Sequence, residues 1–166
     1  MLVVDGRFAR EAVSWSEVSA AVPRSGQLIA AAELEGAGLA AWSVWPSGFG
    51  VLLPATEPGA WLTDWFGHLA LIVVDFSAAF DGRGFSCGGA LRELGYRAEL
   101  RARGPLIPDQ AMQLRAVGFD AVEIPDELAQ RHTEAAWTHA WSAFPARYQR
   151  ARGGLNSILQ ARHATL

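Results

Sequence analysis

Between Leu71 and Asp126 the chain repeats one pattern of apolar strand, polar loop, helix and strand. The run LIVVDF at 71–76 is apolar up to Asp75, as a strand covered on both faces should be. It leads into a Gly/Arg loop, DGRG at 81–84, and a helix over 86–94 that Gly95 ends. A strand over 97–103, a helix over 108–117 closed by Gly118 and a strand over 119–124 follow. A strand–helix unit of about 25 residues predicts right-handed crossovers between parallel strands. In such sheets ligands bind outside the carboxyl ends of the strands, where loops and helix N-termini converge.

The flanks are shorter and less regular. Residues 2–8 and 27–32 read as strands, 33–45 as a helix weakened by Gly36 and Gly38, and 49–53 as a strand. Pro58 introduces a short helix through Leu69, and Pro125–Asp126 opens a helix to about Phe144. The expected fold is α/β, with about four parallel strands and crossover helices resembling a partial βα barrel, plus short N-terminal strands. A single α/β domain over 1–146, with its core motif region at 69–125, is followed by a C-terminal tail at 147–166. Four parallel strands cannot close into a barrel, so a homodimer is one way to cover the open edges.

Composition removes several chemistries. With 51% apolar and 19% charged residues the chain reads as folded, and no apolar run approaches the ~20 residues of a membrane span. The start, MLVVDGRFAR, is no secretory signal, so the cytoplasm is the expected compartment. A net charge of −3 supplies no electrostatic reason for nucleic-acid binding. All 14 cationic residues are arginines, which excludes Schiff-base lysines and a P-loop lysine. A lone cysteine excludes an internal disulfide and thiolate-built metal sites. No flavin, haem, nicotinamide or cluster motif is present, so no cofactor is expected.

Strand parity gathers the charges. Glu99, Arg101 and Arg103 share one face of their strand, Leu71, Val73 and Asp75 one face of theirs, and Ala121 and Glu123 one of the last. If these strands are neighbours in register, Asp75, Arg101 or Arg103, and Glu123 form a charged layer near their carboxyl ends. That layer is either a structural ion-pair row or an anion-handling pocket. The loop Asp81, Gly82, Arg83, Gly84 and Ser86 offers a similar choice. It either cradles a phosphate, sulfite or carboxylate, or Asp81 or Ser86 caps the helix around a tight turn. Asp109 and Gln110 enter the next helix, where capping suits Asp109.

Cys87 falls in the first turn of its helix, where the dipole would lower its pKa, yet a buried core thiol is the more common fate. His132 and His139 lie seven apart on one predicted helix, poor spacing for a metal. Trp61/Trp65 and Trp137/Trp141 make i,i+4 stripes suited to covering a sheet, and seven tryptophans leave room for an aromatic docking surface.

LIVVDFSAAFDGRGFS, ALRELGYRAELRARG, DQ and GFDAVEI together resemble one bacterial family, the domain of unknown function 934. The match is strongest over 69–125 and continues weakly through GVLLPATEP. It covers Asp81, Gly82, Arg83, Gly84, Ser86, Gly95, Glu99, Leu100, Arg101, Ala102, Gly104, Asp109, Gln110, Gly118, Phe119 and Asp120. The chain departs from the family pattern at GPLIPDQ and CGGALREL and over its N-terminal third, and Cys87 is no family position. The resemblance implies an oxidoreductase role tied to assimilatory sulfite reduction, and no mechanism comes with it. Three readings follow: an adaptor for sulfite reductase or its electron donor, a small α/β enzyme or binding protein for an anionic metabolite, and a structural, partner-binding half barrel.

Overall fold

A computed structural model describes residues 1–9, 15–19, 22–38, 45–78 and 80–143 of the chain. The predicted helix at 33–45 lies partly, and the tail at 147–166 wholly, outside the described residues. Within them one eight-stranded sheet holds β1 (Leu2–Val4), β2 (Arg7–Ala9), β3 (Ser16–Glu17), β4 (Gln27–Ala30), β5 (Phe49–Pro54), β6 (Leu69–Asp75), β7 (Glu99–Arg103) and β8 (Ala121–Glu123). Their order is β2-β1-β8-β7-β6-β5-β4-β3, and β3 to β8 run parallel, each beside its neighbour in sequence. β1 lies antiparallel to both β8 and β2. The expectation of about four parallel strands therefore undercounts the sheet. β4, expected as a separate N-terminal strand at 27–32, joins the parallel run beside β5, while β3 is two polar residues that no local pattern marks and pairs with β4.

Consecutive neighbours wound one way curl the sheet into a half barrel. One contact demonstrates the curl. Arg103 on β7 ion-pairs with Glu17 on β3, although four strand spacings would separate their backbones by about 19 Å in a flat sheet. The convex face carries Ile29, Val51, Leu53, Ile72, Val74, Leu100, Ala102 and Val122. It is covered by α1 (Ala31–Ala37), a 3₁₀ helix (Gly59–Trp65), α2 (Arg83–Glu93), α3 (Ala111–Val117) and α5 (Glu134–Ser142). Trp65, Trp137 and Trp141 are buried in this layer, so those stripes are core. The concave face has a small apolar floor of Leu28, Leu71 and Val73 with Trp15 and Leu52 against it. Among the described residues no helix is long and apolar enough to cross a membrane.

Several boundaries move for local reasons. Residues 2–8 are a hairpin rather than one strand, because Asp5 (φ 50°) and Gly6 (φ 75°) form the left-handed turn that Asp-Gly favours. That turn docks on α5, where Thr138 Oγ1 donates to the Gly6 carbonyl at 2.8 Å. α2 starts three residues early, at Arg83. The last predicted helix is two: α4 (Asp126–Arg131) ends where His132 turns extended, and Thr133 caps α5 by accepting from Ala136 N. His132 and His139 thus stand on separate elements, with no shared helix face. Gly95 and Gly118 take the left-handed positions expected of them, with φ 105° and 109°.

Candidate functional site

The register confirms the parity argument. Val73 pairs with Arg101, Asp75 with Arg103, and Arg103 with Glu123, so the charged residues line the concave face toward the carboxyl ends of β6, β7 and β8. They form a continuous chain of ion pairs. Arg101 Nε donates to Glu99 Oε1 at 2.7 Å and Nη1 to Glu123 Oε1 at 2.9 Å. Arg103 Nε donates to Glu123 Oε2 at 2.7 Å, and its Nη1 reaches Glu17. Arg101 is the buried member, its side chain 5% accessible. Burial alone would lower the Arg103 pKa, but hydrogen bonds to Glu123 and Glu17 outweigh it and hold the guanidinium above its ordinary value. Asp75 sits in the same layer, half-buried beside Arg103.

A cleft of about 550 Å³ opens beside this chain, lined by Leu2, Ala9, Trp15, Arg103, Gly104, Glu123, Ile124 and Pro125 among others. It lies at the carboxyl ends of β7 and β8, the side of a parallel βα sheet that carries ligand sites. Backbone bonds fasten its rim. Phe76 N donates to the Arg103 carbonyl at 2.7 Å and Gly104 N to the Glu123 carbonyl at 3.0 Å. A smaller cavity of about 260 Å³ lies against Glu17, Val18, Leu28 and Leu52, so the Glu17–Arg103 pair stands between the two.

Asp81, Gly82, Arg83, Gly84 and Ser86 stay outside the cleft. Asp81 Oδ1 accepts from Arg83 N at 3.1 Å and from Nε at 2.8 Å, and Oδ2 accepts from Nη2 at 2.9 Å and from the Ser77 hydroxyl at 3.3 Å. The carboxylate, one residue before the N-cap Gly82, accepts from the first amide of α2 and grips the guanidinium in a two-pronged pair. The Arg83 hydrogen bond lowers the Asp81 pKa to about 2, and Asp81 in turn raises that of Arg83. Two of the loop's neighbouring glycines answer to packing. A Cβ on Gly84 would lie 2.3 Å from the Phe76 ring, and one on Gly88 2.4 Å from Phe119. Ser86 is exposed on α2. Phe80, just before Asp81, is 90% accessible.

In the loop after β7 the turn is closed by Gln110, whose Oε1 accepts from Ile107 N at 3.0 Å, while Asp109 is exposed. The capping role expected of Asp109 thus falls to Gln110, whose longer side chain reaches back across the proline-led turn. Cys87 is buried, with Sγ 3.7 Å from the Glu57 carbonyl, and burial raises its pKa to about 11. The lowering expected from the helix dipole is reversed, because desolvation of a thiolate outweighs a partial charge.

Sequence reasoning missed Trp15, Glu17 and Arg92. Trp15 precedes, and Glu17 ends, a two-residue strand with no periodicity to mark it. Arg92 ties the opposite end of the sheet: Nε donates to the Gly118 carbonyl, Nη1 to those of Tyr96 and Ala98, and Nη2 to Asp120 at 2.6 Å. Asp120 also accepts from Leu100 N at 2.8 Å. Gly95, Gly118, Phe119 and Asp120 therefore belong to a structural knot, separate from the cleft.

Among curated proteins nothing matches this chain. Residues 50–158 match a family described as a bacterial protein of unknown function, a stretch that takes in β5 through β8, the ion-paired arginines and the Arg92 knot. On that match the chain belongs to the bacterial family DUF934.

Proposed function

We propose that this protein is an accessory factor of assimilatory sulfite reduction that works by docking on sulfite reductase or on its electron donor. The motif resemblance supplies the pathway, and Phe80 supplies the physical argument. Phe80 stands 90% accessible on the loop after β6, beside a guanidinium that its own loop has already neutralised. Aromatics at the centre of protein interfaces carry much of the binding energy. The alternative, a protein that anchors an anionic metabolite through Arg83 and Arg101, draws less support. Arg83 is held by Asp81, and Arg101 by Glu99 and Glu123.

The test is binding of the full chain to purified sulfite reductase, and separately to its electron donor, from the same organism. Phe80→Ser removes no contact within the described fold. It should weaken the complex by about 2 kcal/mol, roughly thirtyfold in Kd, with an unchanged melting temperature. Absence of a complex with either protein, together with normal growth of a deletion strain on sulfate, would overturn the proposal.

A further inference from the structure

We propose that the cleft at the carboxyl ends of β7 and β8 binds an uncharged, planar heteroaromatic ring system, of nucleobase to tricyclic size. This is independent of the docking role. Three observations carry it. First, the cleft measures about 550 Å³, inside the range of roughly 300–1,000 Å³ typical of small-molecule sites, and it has the expected position for a parallel βα sheet.

Second, the cleft contains an aromatic platform. Trp15 is half-buried, packs on the floor of Leu28, Leu71 and Val73, and lines the cleft. Its indole crosses β5 where Gly50 lacks a side chain. A Cβ there would approach Trp15 Cζ3 to 3.1 Å and Leu28 Cδ1 to 2.9 Å. The indole is thereby seated before any ligand arrives, which favours stacking over an aliphatic contact. Leu2, Ala9, Ile124 and Pro125 supply apolar surface around it.

Third, the polar wall fixes the ligand's charge. Glu123 and Arg103, the charged side chains of the cleft wall, pair with each other, and the Met1 ammonium beside them pairs with Asp126, so an anion finds no cation there among the described residues without a partner already. A cation instead meets Arg103, the guanidinium that faces the cleft. The Arg103 bonds to Glu123 and Glu17 use Nε and Nη1 and leave Nη2 to donate. Glu123 accepts one bond on each oxygen and keeps lone pairs on both. A donor and an acceptor side by side match the edge of a heteroaromatic ring that carries both.

Isothermal titration of the full chain with riboflavin and guanosine as uncharged planar probes, sulfite and phosphate as anions, and cyclohexanol as a ring that cannot stack would test this. At least one planar probe should bind with a Kd of about 100 µM or tighter, and the other three compounds should not bind. Trp15→Leu should weaken that binding at least about tenfold. Because Trp15→Leu also touches the floor, Ala9→Trp is the second variant. It fills the cleft from β2, removes no existing contact, and should abolish binding while thermal melting stays cooperative. The proposal is overturned if no planar probe binds the unaltered protein, if sulfite or phosphate binds in preference, or if Ala9→Trp binds as the unaltered protein does.

Discussion

At Asp81 a backbone amide, both prongs of a guanidinium and a serine hydroxyl converge on one carboxylate. What covers it is its own surface loop, with Arg83 64% accessible, so solvent screens the pair even though the acid's side chain is only 7% accessible. The consequence is electrostatic and local. The Arg83 hydrogen bond is the largest cause of a pKa lowered from 3.8 to about 2. A carboxylate whose folded pKa lies below its unfolded value stabilises the fold fully above the unfolded value, and that contribution is lost as pH falls through the folded one. Here the window runs from 3.8 down to about 2. A carboxyl-carbon NMR titration should give Asp81 a midpoint near 2, and Arg83→Ala should return it toward 3.8. A midpoint unmoved by Arg83→Ala would show that the amide and hydroxyl, rather than the guanidinium, hold the charge.

The glycines around α2 decide between two accounts of that element. A ligand-cradling loop would need Gly82 and Gly84 for close approach of backbone to an anion, whereas a packing helix needs its glycines where the sheet presses on it. Gly82 has φ −62° and nothing within 4 Å of where a methyl group would stand, while Gly84 and Gly88 would drive a methyl into the Phe76 and Phe119 rings. Gly84→Ala and Gly88→Ala should each cost about 1–3 kcal/mol in urea denaturation, and Gly82→Ala should stay within about 0.5 kcal/mol. A large loss at Gly82 would contradict the packing account. The same element shows what was legible beforehand. Side-chain alternation has a period of two, so the faces of β6, β7 and β8 were readable residue by residue, and with them the ion-paired row. The start of α2 was not, because it depends on the Arg83 amide finding Asp81. Nor was the break between α4 and α5, which rests on Thr133 capping Ala136, a local bond no apolar pattern announces. β1 joins the sheet only through β8, more than a hundred residues away, and such pairing leaves no trace in local sequence.

At the scale of the whole molecule, the described residues of the concave face carry a row of charges, Glu99–Arg101–Glu123–Arg103–Glu17, that runs from β7 to the far edge strand. Its links differ in worth because their surroundings differ. Arg101 is 5% accessible and Glu123 19%, so that pair sits in a low dielectric where an abandoned carboxylate is costly. Glu17 is 59% accessible, and a pair that exposed is worth at most about 1 kcal/mol. Arg101→Met should therefore destabilise the protein by about 2–3 kcal/mol, a figure set below that for fully buried pairs because Glu99 is 37% accessible. Glu17→Gln should stay within about 1 kcal/mol. The cost at Arg101 is chiefly that of stranding its partners, so adding Glu99→Gln and Glu123→Gln to Arg101→Met, which also weakens the Arg103–Glu123 pair, should recover part of the loss. Urea melts of the single and triple variants measure this directly. A triple variant no more stable than Arg101→Met alone would show that relief of the abandoned carboxylates does not exceed what the Arg103–Glu123 pair loses.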